Sequence, residues 1–181
     1  MAKISIQEHR VHIGGTALED VAIGRNENSD VNDKVQAFVD CFGALAVTAS
    51  AEMHGLPAAF ILAQWGAESG WGANVRAAEN QNWGMLKAGG AAHSKGRDAR
   101  GFSIFYGRNT FKDAYVYILN HVANYEALRR YLHDTQAPTV DVCIALIANS
   151  GYCEGAPQAY SDLLTDCVAT LRKRSDFFTQ R

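Results

Sequence analysis

Apolar residues along the chain fall into blocks with helical spacing. Val35, Phe38, Val39, Phe42, Leu45 and Ala46 recur three and four apart, the period of an amphipathic helix. Asp30 or Asn32 offers a side-chain acceptor to its first turn, and the helix is expected to end by Gly55. Pro57 stands where helices favour a start, and Ala58 through Glu68 run on as an apolar helix closed by Ser69-Gly70. Between residues 70 and 105 Gly, Asn and Ala dominate and the period fades, which predicts a long irregular lobe. From Asn109 the helical spacing returns and predicts helices near 110–123, 124–133, 139–149 and 157–173. The first 30 residues differ. Ile4, Ile6, Val11 and Ile13 are interrupted by charges, Gly14-Gly15 breaks the segment, and Arg25 to Asp30 is polar and turn-like. The pattern divides the chain into an arm over 1–30 with one short strand, and a mostly α domain over 31–181 with a loop-rich second lobe.

Composition narrows the classes. A chain of 181 residues has room for one domain with a sizeable core. With 17 basic and 19 acidic residues the formal net charge is −2, so no global field is built to hold nucleic acid. No apolar run approaches the roughly 20 residues that span a bilayer. Met1 to Val11 is mixed and charged, unlike a secretory signal. Cys41, Cys143, Cys153 and Cys167 form no CxxC pair and no zinc spacing with the six histidines, and neither metal nor cofactor is expected. They read as buried free thiols, or as one or two disulfides tying the C-terminal helices.

The informative segment runs from His54 to Lys87. Ile61, Trp65 and Glu68 share one helix face, with Gln64 beside them. An acid thus ends a buried apolar stripe. Desolvation and the negative end of the helix dipole both disfavour its charge, which keeps a proton on a carboxyl near neutral pH. A general acid needs that property. A Glu at a helix end is more commonly just exposed, so the neighbouring residues decide the matter.

Ala63-Gln64, Glu68-Ser69-Gly70-Trp71-Gly72, Asn82-Trp83-Gly84 and Lys87-Ala88 together resemble the core signature of the glucosaminidases of glycoside hydrolase family 73. Phe105-Tyr106, Phe111-Lys112-Asp113-Ala114-Tyr115 and Ser150-Gly151-Tyr152 to Tyr160 extend the resemblance over roughly residues 38 to 172. Three departures are visible: Trp83 replaces the commoner aromatic arrangement, Met85 stands where Ile is usual, and Cys153-Glu154-Gly155 replaces Ala-Thr-Asp. The resemblance implies a lysozyme-like fold and cleavage of the β-1,4 bond from N-acetylglucosamine to N-acetylmuramic acid in peptidoglycan, with Glu68 as acid. A second carboxylate would lie across the cleft. Between Lys87 and Phe105 the only acid is Asp98, in a lobe shorter than the family's. Asp98 is either that partner or a solvated loop charge, and without it the substrate's own 2-acetamido group would act.

The remaining candidates are polar aromatics and amides suited to a sugar cleft. Tyr152, after Ser150-Gly151, reads as a site residue. Trp71, Trp83 and Tyr106 would stack on pyranose faces, although both tryptophans also suit a core. Asn82 would bond an acetamido group or fix its loop. Tyr115, Tyr117, Tyr125 and Tyr131 lie at helical spacing and read as packing. A lytic transglycosylase of the lysozyme superfamily, a Cys/His peptidase and a non-catalytic wall-binding module are the competing classes. The missing leader, lack of anchor repeats and near-neutral charge fit a toxin delivered by type VI secretion into a target cell's periplasm, or a phage lysin. A toxin further implies an immunity protein that closes the cleft over Glu68.

Overall fold

A computed structural model describes residues 8–13, 16–21, 31–87 and 94–178. The chain is mostly α-helical, as its periodicity requires. The helices are α1 (Val31–Glu52), α2 (Ala58–Ser69), α3 (Val75–Glu79), α4 (Arg108–His121), α5 (Glu126–Asp134), α6 (Val140–Ala148) and α7 (Pro157–Arg174). A 3-10 turn, Ala123–Tyr125, leads into α5. The arm holds two strands rather than the one expected: β1 (Glu8–Ile13) pairs antiparallel with β2 (Thr16–Val21). The Gly14-Gly15 break, the 25–30 turn, the Asp30 cap and Ala88 lie outside the described residues. Asn32 is the second residue of α1, not its cap.

Helix α2 is the axis of the fold. It packs on α1, α7, α6 and α3, and Ala59 through Gly66 are all buried. A helix that is apolar on every side belongs inside the protein rather than on its surface. Phe42, Trp65, Trp83, Phe111 and Tyr115 form one aromatic cluster around it. Ring centroids lie 4.7 Å apart for Phe42–Trp83, 5.0 Å for Trp65–Phe111 and 5.3 Å for Trp65–Tyr115. Several of these pairs meet edge to face, the arrangement the ring quadrupoles favour. Lys112 joins α4 to α1: its ammonium lies 2.7 Å from Glu52 and 2.6 Å from Asp113.

The irregular lobe is more ordered than its sequence suggests. Asn74 caps α3, its side chain accepting from the Arg76 and Ala77 amides at 3.0 and 3.4 Å. Further along is a short hairpin, in which β3 (Gly96–Arg97) pairs with β4 (Ser103–Ile104). Both pieces are too short to leave a period in the sequence.

The four cysteines are free thiols, so no bridge ties the C-terminal helices. Burial pushes Cys143 up to about 12 and Cys167 up to about 11, which keeps both protonated and unreactive. Among the described residues, no helix is long and apolar enough to cross a membrane.

Gly66 is a tightly packed position in α2. A Cβ built there would sit 2.5 Å from the Trp71 ring. Gly66→Ala must therefore displace that ring, and should cost about 1–3 kcal/mol in urea unfolding despite alanine's better helix propensity. A stability gain would mean that the ring moves aside freely.

Candidate active site

The segment around Glu68 has a definite local logic. The Ser69 hydroxyl donates to the Trp65 carbonyl at 2.7 Å and accepts from the Gly72 amide at 3.0 Å, knotting the last turn of α2 to the loop beyond it. Gly70, Trp71 and Gly72 are all left-handed, at φ 58°, 56° and 81°. Glycine adopts this conformation without strain and tryptophan does not, so the two glycines carry most of the turn. The reversal folds Trp71 back over Gly66, with its ring edge-on to Phe38 at 5.6 Å. Glu68 is thereby left at the mouth of a buried helix, partly exposed, while the residues before it stay in the core.

Three helices supply a chain of hydrogen bonds that ends on this acid. Tyr115 in α4 donates to Gln64 Oε1 at 2.6 Å. Gln64 Nε2 donates to the Tyr160 hydroxyl at 3.2 Å, and Tyr160 in α7 donates to Glu68 Oε1 at 2.7 Å. Gln64 and Tyr115 have no solvent exposure, and Tyr160 has 4%. Burial pushes the Glu68 pKa up, and the bond from Tyr160 opposes this with smaller effect. Glu68 therefore holds a proton at a higher pH than an ordinary glutamate.

Tyr152 belongs to the same neighbourhood. Its ring lies nearly parallel to Tyr160, with centroids 6.0 Å apart, and its hydroxyl donates to the Gly84 carbonyl at 2.7 Å. Burial, then the nearby charge of Glu68, pushes its own pKa well up. Gly84 permits this approach, since a Cβ there would lie 3.2 Å from both the Tyr152 hydroxyl and Phe111. The contact pins the lobe to the loop between α6 and α7. The Lys87–Glu154 ion pair links the same two segments.

Two expected sugar contacts belong to the interior instead. Asn82 is fully buried: its amide oxygen accepts from the Leu86 amide, and its nitrogen donates to the Leu86 and Ser103 carbonyls at 3.0 and 2.9 Å. All of this capacity goes into fixing the loop. Trp83 is packed between Phe42 and Phe111 and is a core residue. Trp71 is half-buried and Tyr106 is exposed, with Lys95 Nζ 4.9 Å from its ring.

Asp98 is partly exposed but not free. Its Oδ1 accepts from the Arg100 and Phe102 amides at 2.8 and 3.0 Å. Its Oδ2 accepts from Asn80 Nδ2 at 2.9 Å and lies 3.4 Å from Arg76 Nε. Desolvation works against its charge, but these donors outweigh it and hold the carboxyl below its usual range. Such a carboxylate braces the β3–β4 hairpin.

In the sequence, Gln64 and Tyr160 stand out only as parts of motifs, and Tyr115 only as packing. Tyr115 does pack, but its hydroxyl starts the chain to Glu68. Tyr117, expected to pack, is instead exposed and stacked on His121 at 4.3 Å. Among the described residues, no group of three or more His, Cys, Asp or Glu side chains could hold a metal ion. Comparisons of the chain with models of protein families, with curated proteins and with solved structures give no match.

The raised pKa of Glu68 has a stability consequence. An acid with a folded-state pKa above its unfolded one has its full stability below the unfolded pKa, near 4.3 for glutamate, and loses it as pH rises through the folded value. Glu68→Gln carries no charge to desolvate. It should be more stable than the wild type at neutral pH, by about 1 kcal/mol, and should lose this advantage near pH 4. Urea midpoints at the two pH values measure the difference. An equal gain at both would mean that Glu68 bears no desolvation cost in the folded state.

Proposed function

We propose that the protein is a peptidoglycan-cutting glycosidase in which Glu68 donates a proton to the glycosidic oxygen. The observation that carries this reading is the placement of Glu68: it ends the buried helix α2, burial raises its pKa above that of an ordinary glutamate, and Tyr160 holds one of its oxygens. This is the environment a carboxylic general acid needs. The resemblance of Glu68 to Gly72 and of the tyrosine segment to glucosaminidases supplies the substrate: the β-1,4 bond between N-acetylglucosamine and N-acetylmuramic acid. Trp71 and Tyr106 remain candidates for contact with sugar rings.

The commitment of Asp98 to its hairpin favours a scheme with one protein carboxylate. In that scheme the substrate's 2-acetamido oxygen supports the developing positive charge at the sugar. The same observation keeps a lytic transglycosylase as the second reading, because that chemistry also needs only one acid. Digestion of purified peptidoglycan with mass analysis separates them. Reducing N-acetylglucosamine ends are expected; 1,6-anhydro ends would replace the hydrolase by the transglycosylase, and freed peptides would overturn both. In the same digestion Glu68→Gln should be inactive while folded. Asp98→Asn should stay within a factor of about three of wild type, roughly 0.65 kcal/mol in barrier.

Action in the periplasm of a target cell, with a cleft-closing immunity protein in the producer, is part of this proposal and rests on the wall as substrate. Expression with an added signal peptide should lyse cells, expression without one should not, and Glu68→Gln should be harmless in both. Equal killing from the cytoplasm would remove the wall as target.

A further inference from the structure

A hydroxyl group carries one hydrogen, and a carboxamide has a donor end and an acceptor end. A buried chain of such groups therefore has a direction, and something must set it. In the chain Tyr115–Gln64–Tyr160–Glu68 two directions are conceivable. In one, every hydrogen points towards Glu68. In the other the Gln64 amide is turned over, its oxygen takes the hydrogen of Tyr160, and Glu68 loses its donor.

Tyr115 decides between them. It is fully buried, and among the described residues its hydroxyl bonds only to Gln64, at 2.6 Å. If the amide turned over, its NH2 would face the Tyr115 oxygen, and the Tyr115 hydrogen would have no acceptor in a place water does not reach. An unsatisfied buried donor is costly. Tyr115 thus holds the amide oxygen towards itself, and the amide nitrogen necessarily faces Tyr160. The Tyr160 oxygen is then an acceptor towards Gln64, and its own hydrogen is left for Glu68 Oε1.

We infer that Tyr115 is a positioning residue for Glu68: through Gln64 and Tyr160 it keeps Oε1 as an acceptor and confines the transferable proton to Oε2. The inference rests on the glycosidase reading for its meaning in catalysis. In that reaction the proton leaves Oε2 for the glycosidic oxygen, and the pair of electrons it leaves behind makes Glu68 a carboxylate. Tyr115, Gln64 and Tyr160 keep all their hydrogens throughout. Burial pushes the pKa of both tyrosines up, so the chain passes on orientation and not protons. The bond from Tyr160 strengthens as Glu68 becomes charged, because hydrogen bonds to an ionised acceptor are the stronger kind. The chain therefore favours the transition state over the resting acid.

The test is a carbon-13 NMR titration of the Glu68 carboxyl in the intact chain, for the wild type, Tyr160→Phe and Tyr115→Phe. Tyr160→Phe removes the direct donor and should raise the Glu68 pKa. Tyr115→Phe touches Glu68 nowhere, yet it frees the amide to turn. It should raise the pKa in the same direction by a smaller amount, and move the alkaline limb of the activity profile with it. A packing role alone would not move this titration. A folded Tyr115→Phe whose Glu68 titrates as in the wild type would overturn the inference. The wild type gives an independent reading should that variant not fold. The buried Tyr115 hydroxyl proton should change its chemical shift in step with Glu68, and a flat resonance across the titration would also overturn it. The NMR measurements need no substrate. A responsive titration beside a failed digestion would reject the glycosidase and keep the chain, and the converse would reject the chain alone.

Discussion

The desolvation of Glu68 is the constraint around which the rest of the site is arranged. A carboxyl at the end of a helix buried on all sides must be supplied with donors or kept neutral, and here both devices are present in part. Burial favours the neutral form, while a single bond from Tyr160 makes the charged form tolerable. Neither device is local in sequence. The donor to Glu68 comes from α7 and the far end of the hydrogen-bond chain from α4, so the acid's environment exists only once these helices have packed against α2. The aromatic cluster of Phe42, Trp65, Phe111 and Tyr115 that holds α2 in place thus also sets the chemistry at its end.

The second lobe is built by the opposite means. Beyond Trp83, Leu86 and Phe105, which it lends to the core, it is held by polar side chains bonded to backbone. Asn74 starts α3, Asn82 ties residue 86 to residue 103, and Asp98 closes the hairpin. The lobe is then fastened to the helical body at Gly84 by Tyr152. Residues that look like ligand-binding groups in the sequence are consumed by this framework. Asn82 belongs to the interior rather than to the expected cleft because its amide is spent on this framework, and Trp83 because its ring packs between Phe42 and Phe111.

Much of the helical body was legible in the sequence because burial leaves a period. The helix expected over 157–173 spans Pro157–Arg174, and that expected over 110–123 spans Arg108–His121. The second starts early because Thr110 bonds to the Tyr106 and Gly107 amides ahead of the first apolar residue. The pieces that escaped are short or polar: α3 has five residues and each strand of the β3–β4 hairpin has two, too few to repeat a pattern. Glu68 was legible as an acid closing an apolar helix. Its partners were not, since Gln64 meets Tyr115 across 51 positions and Tyr160 across 96. Nothing in a local pattern distinguishes a tyrosine that merely packs from one whose hydroxyl has a buried acceptor waiting.

The contact between Gly66 and Trp71 bears on how this chain can vary over time. The indole occupies the space that any side chain at position 66 would need, and the turn that puts it there depends on glycine at 70 and 72. These four positions are accordingly one inherited unit. A larger residue at 66 becomes acceptable only in a lineage that has already given up the indole. Losing the indole first would leave a hollow over Gly66 and beside Phe38, which makes the order of the two steps matter. Drift in this part of the sequence should therefore be slow and correlated, even though three of the four residues contribute no side chain beyond a hydrogen atom.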